Sequence, residues 1–134
     1  MKSILRKIAA ILALIIGGMA VFAGVKVLLG IDPGYYVIDW VPVYNYTMGI
    51  LTVFITAILI WRGSKLAGFA AVTTFSLHTL VMILLQTVHR DVVAVDSIRA
   101  MTIRMIAWAV ILVLMFAQFR KDKKVQHLNT VGKT

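Results

Sequence analysis

The chain has 134 residues, of which 61% are hydrophobic and 14% are charged, and it contains no cysteine. A chain this short could not hide so much apolar surface in a water-soluble core, which excludes an ordinary soluble domain. The absence of cysteine excludes disulfides, thiolate metal sites and thiol redox chemistry. A formal net charge of +9 would suggest a nucleic-acid partner in a soluble protein, but the placement of the charges indicates a membrane protein with no such partner.

Four long apolar segments account for nearly the whole chain, at about residues 8–29, 42–61, 66–88 and 98–119. Each is long enough for a helix that crosses the ~30 Å hydrocarbon core of a bilayer, which takes about 20 residues. The predicted fold class is therefore all-α, an integral membrane four-helix bundle that forms a single domain. A basic tail over residues 120–134 follows the last helix.

The charges are distributed unevenly between the two ends of this predicted bundle. If the helices alternate in direction, one side of the membrane carries Lys2, Arg6, Lys7, Arg62, Lys65, Arg120, Lys121, Lys123, Lys124 and Lys133. The other side carries Lys26, Arg90, Arg99 and Arg104, balanced by Asp32, Asp39, Asp91 and Asp96. The positive-inside rule then predicts a multi-pass protein of the cell membrane with both termini in the cytoplasm.

The first segment has features of both a signal sequence and a transmembrane helix. Its basic start and the Val-Phe-Ala sequence at 21–23 are weakly typical of a cleaved signal. However, the apolar run continues to Leu29, which is too long for the hydrophobic part of a signal sequence. We expect this segment to be retained as the first helix.

Turn-forming residues mark the connections between the segments. A cluster of helix breakers at 30–34, with glycine at both ends, terminates the first helix. Gly63 is expected to close the second helix and Ser64 to cap the third, which makes these two helices an antiparallel hairpin. Asp96 or Ser97 is expected to cap the fourth helix.

Helical spacing gives each segment one stripe of small or polar residues. The stripes are Ala10, Ala13, Gly17, Ala20 and Gly24; Asn45, Gly49, Thr52 and Thr56; Thr74, His78, Met82 and Gln86; and Ser97, Met101, Arg104 and Trp108. Small residues three or four positions apart let membrane helices approach closely. We expect these stripes to face inward, either as a polar interior or simply as packing seams.

Arg104 is the strongest single candidate for function. It lies about six residues, roughly 9 Å, into the fourth segment. A charge costs about 2.5–3.5 kcal/mol at the centre of a membrane helix, and less near its edge. Three interpretations are open. The side chain extends outward to water, it pairs with Asp39 or Asp32, or it joins Arg99 in binding an anionic or carbonyl-bearing ligand.

His78 lies near the middle of the third segment and could relay protons, bond a quinone-like carbonyl or ligate haem iron. A haem held by two histidines needs a second one at matching depth on a facing helix. His89 lies at the outer end of the same segment and His127 in the tail, so we do not expect haem within one chain. The simplest interpretation is a neutral His78 bonded to a threonine or asparagine of a neighbouring helix. Quinones and lipids are the ligand classes left open.

Apart from the solvated lysines and arginines near the termini, nearly all the ionisable side chains lie in the other half of the bundle. A binding site would therefore open to the non-cytoplasmic side. Aromatic residues in the same half are expected to form an interfacial belt: Tyr35, Tyr36, Trp40, Tyr44 and Tyr46. The predicted ligand-binding or structural polar cluster is His78, Arg104, Arg99, Asp39, Asn45 and Gln86. No phosphate-binding loop, metal-ligand spacing or catalytic triad occurs, so no catalytic or metal-binding residue is predicted.

The first 75 or so residues resemble the DoxX-like family of small four-helix membrane proteins. The resemblance rests on Gly18, Phe22, Gly24 and Lys26 in that order, followed by the break at Asp32 and Pro33. It continues in a basic-glycine turn and an alanine-rich third segment, with Arg62, Gly63, Ala67, Ala70 and Ala71. The resemblance implies a membrane partner in redox or sulfur metabolism, in some cases beside quinone-linked enzymes.

Three functions are therefore expected, in descending order. The first is a non-catalytic partner or ligand-binding subunit of a larger, redox- or quinone-linked membrane complex. The alternative is a small oligomeric transporter or channel with a polar site open to the non-cytoplasmic side. A quinone- or lipid-modifying enzyme that uses His78 and Arg104 ranks third. The expected partners are membrane lipids and either another membrane protein or further copies of this chain.

Overall fold

Four helices and their connections make up the computed structural model, which describes residues 3–133. The helices are α1 (Ile4–Leu28), α2 (Val41–Arg62), α3 (Ala67–Gln86) and α4 (Val95–Val131). All four are long and apolar enough to cross a membrane by length and composition. No strand occurs among the described residues, and the prediction of an all-α, four-helix fold is confirmed.

The helices alternate in direction and so give the bundle two different ends. One end holds the start of α1, the turn between α2 and α3, and the last part of α4; we call it the basic end because most lysines and arginines are there. The other end holds the two longer connections, at 29–40 and 87–94, and we call it the loop end. Helix α1 packs against α2 and α4, and α3 packs mainly against α4.

Small residues fill the interface between α1 and its neighbours. The buried residues of α1 are Ala9, Ala10, Ala13, Gly17, Ala20 and Gly24, which confirms the predicted inward stripe. At Gly24 an added Cβ would lie 2.7 Å from both the carbonyl oxygen of Pro42 and the amide nitrogen of Tyr46. At Gly49 it would lie 2.6 Å from Cγ2 of Val21. These contacts require glycine, because any side chain would push α1 and α2 apart.

Helix α2 contains one wider, π-helical turn at Thr52–Thr56, which the sequence analysis did not predict. A π turn inserts an extra residue and thereby rotates the helix face that follows it. Thr52 and Thr56 are both buried at this turn. Cγ2 of Thr52 lies against Gly17 of α1, 2.9 Å from where a Cβ would be. After the turn, the inward face of α2 continues with Ala57 and Ile60, which are both buried.

The helix ends agree only in part with the predicted caps. Gly63 closes α2 in the left-handed conformation, with φ +66°, as predicted. Ser64 does not cap α3, because its Oγ accepts a hydrogen bond from the amide of Leu66, before the helix begins. The prediction that Asp96 or Ser97 caps α4 is wrong, because α4 already begins at Val95, which places both residues in its first turn.

Helix α4 runs past residue 119, the end predicted from hydropathy, to Val131. The basic tail is thus mostly helical, and the expectation that helix four ends before it is wrong. Residues 120–131 contain neither glycine nor proline, and lysine, arginine, glutamine and leucine are good helix formers. Hydropathy marks where the apolar stretch stops, but the helix itself continues until Gly132.

Two apolar clusters fill the interior, one towards each end. The cluster nearer the basic end is centred on alanines of α1 and on the fully buried Ile60, Trp108 and Ile111. The cluster nearer the loop end consists of Ile38, Val41, Val81, Leu85 and Met101. Three polar residues of the inward stripes, His78, Arg104 and Asn45, lie in a layer between these clusters.

Candidate functional site

The layer between the two apolar clusters holds the two ionisable side chains that the sequence analysis put first. His78 is 3% exposed and Arg104 is 7% exposed. Both therefore face the interior, as predicted, and the interpretation that Arg104 extends outward to water is wrong. His78 follows the buried Thr74 by four residues and so lies on the buried face of α3. Arg104 follows the buried Met101 by three residues and lies on the buried face of α4.

Arg104 reaches across the bundle to α2. Its Nη1 donates a short hydrogen bond to Oδ1 of Asn45. Helices α2 and α4 are not close neighbours, so this contact crosses the middle of the bundle between two diagonal helices. The prediction of Asp39 or Asp32 as partner is wrong: Asp39 is exposed, and Oδ1 of Asp32 accepts a hydrogen bond from the amide of Gly34. An amide carries no charge, so no carboxylate among residues 3–133 neutralises Arg104.

His78 is bonded to Tyr44 of α2, not to a threonine or asparagine as the sequence analysis expected. The Tyr44 hydroxyl and His78 Nδ1 lie 2.6 Å apart. Close backbone contacts between α2 and α3 are concentrated in the part of α2 from Thr52 to Arg62. Towards the loop end the two helices diverge, and only long side chains such as these two span the gap.

Aromatic rings surround this layer and continue towards the loop end. The Tyr44 ring lies edge-on to His78 at 5.8 Å between centroids, and His78 is 6.4 Å from Trp108. Beyond Tyr44, Trp40 is 6.3 Å away, and its Nε1 donates to Nε2 of His89 at 3.3 Å. Tyr44 and Trp40, assigned to the interfacial belt from the sequence, take part in the interior network.

Hydrogen-bond donors outnumber acceptors in the layer. The Arg104 guanidinium carries five N–H donors and no acceptor. The side chain of Trp108, one helical turn further along α4, is fully buried, and its Nε1–H has no hydrogen-bond partner among the described residues. A buried donor without a partner costs about 1–3 kcal/mol. The layer is therefore suited to a group that accepts hydrogen bonds or carries negative charge.

Three of the six predicted site residues meet in this layer and three do not. His78, Arg104 and Asn45 belong to it, whereas Arg99, Asp39 and Gln86 are exposed outside the hydrogen-bonded network. The sequence analysis missed Tyr44, Trp40, His89 and Trp108 as members. A signal existed for Trp108, four residues after Arg104 on the inward stripe, and for Tyr44, next to Asn45. Among the described residues no group of three histidine or acidic side chains could hold a metal ion.

Replacing Tyr44 with phenylalanine is expected to destabilise the bundle by about 1–3 kcal/mol, because it leaves a buried His78 nitrogen unpaired. The lowered midpoint would appear in thermal unfolding of the purified protein in detergent. Tyr46→Phe is the matched control, since Tyr46 is exposed on the same helix. Equal midpoints for the two variants would show that the Tyr44–His78 bond contributes nothing to stability.

Comparison with known proteins gives no relative for this site. No protein-family model, curated protein or solved structure matches the chain. The resemblance to the DoxX-like family therefore stays a prediction based on the residues named above.

Proposed function

We propose that this is an integral membrane protein with both termini in the cytoplasm, which binds a carbonyl-bearing ligand of the quinone class. In this proposal it is a non-catalytic subunit of a larger, redox-linked membrane complex. Arg104 and its neighbours hold the ligand head group near the non-cytoplasmic side. The redox link comes from the resemblance to the DoxX-like family, and the ligand class comes from the chemistry of the interior layer.

Length, hydropathy and charge support insertion in the membrane. The four helices are each at least 20 residues long and contain an apolar stretch of 18 residues, and large hydrophobic side chains cover the outside of the bundle. Such a surface is expected where lipid, not water, is the solvent. The excess of lysine and arginine at the basic end supports a cytoplasmic position for that end.

The observation that carries the ligand proposal is the Arg104 guanidinium, buried in an apolar bundle with a neutral amide as its hydrogen-bonding partner. A charge in a membrane interior is costly and is usually paired or functional. Arg104 and Trp108 together offer several donors to one acceptor oxygen, that of Asn45. A ligand with carbonyl oxygens would satisfy these donors, and a planar ring would suit the aromatic surroundings of His78.

The outer surface supports a role as a subunit. Among residues 3–133, little more than the connections at 29–40, 63–66 and 87–94 lies outside the four helices. The exterior of the helices is apolar and suited to packing against other membrane helices as well as lipid. A site that binds but has no catalytic group of its own would act by presenting its ligand to a larger enzyme.

Titration with a short-chain ubiquinone is the direct test of ligand binding. Quinones quench tryptophan fluorescence at short range. Trp108 lies 6.4 Å from His78 and Trp40 lies 6.3 Å from Tyr44, whereas Trp61 lies at the basic end of the bundle. We expect saturable quenching in detergent that is reduced in Trp108→Phe, reduced further in a variant that also carries Trp40→Phe, and retained in Trp61→Phe. Linear, non-saturating quenching, or equal loss in Trp108→Phe and Trp61→Phe, would contradict a quinone site at Arg104.

The partner is tested by purification from the native membrane in mild detergent, followed by mass spectrometry and an absorption spectrum. We expect the chain to elute with a larger membrane protein in fixed ratio. A homogeneous homo-oligomer without other proteins would contradict the subunit proposal. It would favour the alternative of an oligomeric transporter or channel.

A further inference from the structure

The basic end of the bundle has a cavity that lies apart from the Arg104 layer. This cavity of about 440 Å³ opens on the outside of the bundle between α3 and α4. Its volume is in the range of pockets that hold small ligands, about 300–1,000 Å³. We propose that this groove binds one anionic phospholipid, with an acyl chain in the groove and the phosphate on Arg6 and Lys65.

The walls of the groove are apolar, and the groove opens on the lateral surface of the bundle. They are formed by Gly68, Val72, Leu112, Met115, Phe116 and Phe119. An added Cβ at Gly68 would meet no atom within 4 Å, so the absence of a side chain there leaves open space along α3. In a membrane this space would face hydrocarbon, and an acyl chain is the ligand that matches it.

The end of the groove is basic and has an unpaired donor. Arg6 and Lys65 line it, and the Arg120 guanidinium lies 4.7 Å from the Phe116 ring at the same end. The Nε of Arg6 is buried and has no hydrogen-bond partner among residues 3–133. The carboxylate in the lining, Asp122, accepts a hydrogen bond from Gln118 at 2.9 Å and forms no salt bridge with Arg6. Two cations therefore line this end of the groove with one carboxylate, and Arg120 lies next to it, which favours an anionic head group.

The position of Arg6 is fixed by the fold. The chain reverses at Gly63 with φ +66°, and a Cβ there would lie 2.6 Å from Nη1 of Arg6. The guanidinium thus packs directly on the glycine that closes α2. This holds a cation from α1 beside the α2–α3 turn, at the depth where a phosphate would lie above an acyl chain in the groove.

A phospholipid is favoured over a soluble anion because the site combines apolar walls with a basic end. A free phosphate would use the cations but leave the apolar walls empty, and a neutral lipid would use the walls alone. The positive-inside rule predicts that this end faces the cytoplasm, where membrane leaflets carry negative surface potential. The inference depends on membrane insertion but not on the ligand of the Arg104 layer.

Native mass spectrometry of the full chain in detergent tests the site. The protein is titrated with phosphatidylglycerol or with phosphatidylcholine of identical acyl chains. We expect the first phosphatidylglycerol to bind at about tenfold lower concentration than phosphatidylcholine. Both lipids carry a phosphate, but the choline ammonium cancels its charge and is repelled by Arg6 and Lys65, a difference of roughly 1 kcal/mol per cation. Equal binding of the two lipids would overturn the head-group assignment.

Variants with matched controls separate the site from general basic attraction. Arg6→Gln is expected to weaken phosphatidylglycerol binding about tenfold, and Arg6→Lys to retain most of it. Lys7→Gln is the control, because Lys7 is the adjacent cation on α1 and lies over the Trp61 ring, outside the groove. Equal losses in Arg6→Gln and Lys7→Gln would overturn the proposal.

Gly68→Leu is expected to fill the groove and to reduce binding of both lipids. Gly18→Leu is its control, since Gly18 also faces open space but lies on α1 away from the groove. Val72→Phe should act like Gly68→Leu and serves if that variant unfolds. Unchanged lipid binding with the groove filled, or a dimer of this chain that only Gly68→Leu abolishes, would show that no lipid occupies the groove. None of these changes touches Arg104, so a negative result here leaves the quinone titration interpretable.

Discussion

Replacing Gly24 with alanine is expected to lower the stability of the bundle by at least 1–3 kcal/mol, roughly the cost of overpacking a well-packed interior. The new methyl group would lie 2.7 Å from two backbone atoms of α2, the Pro42 oxygen and the Tyr46 nitrogen. A flexible side chain could move aside, but these backbone atoms can do so only if α1 and α2 separate. The larger Gly24→Leu is expected to prevent folding.

The same substitution at Gly18 provides a control within the same helix. A Cβ at Gly18 would meet nothing within 4 Å. In a helix interior, alanine is more stable than glycine by about 0.5–1 kcal/mol. Gly18→Ala is therefore expected to leave the stability unchanged or to raise it slightly. Thermal unfolding in detergent measures both variants. A Gly24→Ala midpoint equal to that of Gly18→Ala would show that α1 and α2 do not pack as described.

Replacing Arg104 with leucine is expected to weaken ubiquinone binding by about 10- to 100-fold while leaving the fold intact. The binding loss follows from removal of the charged donors of the layer. Stability is expected to change little because two effects oppose each other. Removing a charge from a membrane helix gains up to about 2.5–3.5 kcal/mol, and leaving the Asn45 oxygen unpaired costs about 1–3 kcal/mol.

The control is Arg99→Leu, which removes an exposed arginine from the same helix and is expected to leave binding unchanged. Arg104→Lys tests geometry, since lysine keeps the charge but loses the planar fork of donors. We expect the Arg104→Lys variant to fold and to bind ubiquinone weakly. Fluorescence titration and thermal unfolding are measured together on each variant. A large loss of stability in Arg104→Leu, with binding per folded molecule unchanged, would show that Arg104 only supports the bundle.

The sequence predicted the helices and their inward faces better than it predicted their ends. The stripe from Ala10 to Gly24 is buried as expected, because periodicity of small residues directly reflects a packed face. The end of α4 was placed at residue 119 instead of Val131, because hydropathy reports the apolar stretch and not the helix. The π turn at Thr52–Thr56 was missed, since nothing in the local sequence requires it.

The candidate site was predicted only in part. His78, Arg104 and Asn45 were recognised because polar residues in an apolar stripe are conspicuous. Their partners were not, since residue type alone cannot separate a belt tyrosine from an interior one. Tyr44 has the residue type and position of an interfacial aromatic, but its hydroxyl lies 2.6 Å from His78 Nδ1.

The amino-acid sequence by itself determined four apolar helices, one inward face on each and a basic end, because length, hydropathy and helical period are local properties of a chain. Tertiary structure alone decided that Arg104 bonds to Asn45, 59 residues away, and that His78 bonds to Tyr44, 34 residues away. It also decided that Arg6 packs on Gly63 at the end of a lipid-facing groove. Such contacts depend on how helices pack side by side, and that arrangement is a property of the whole bundle.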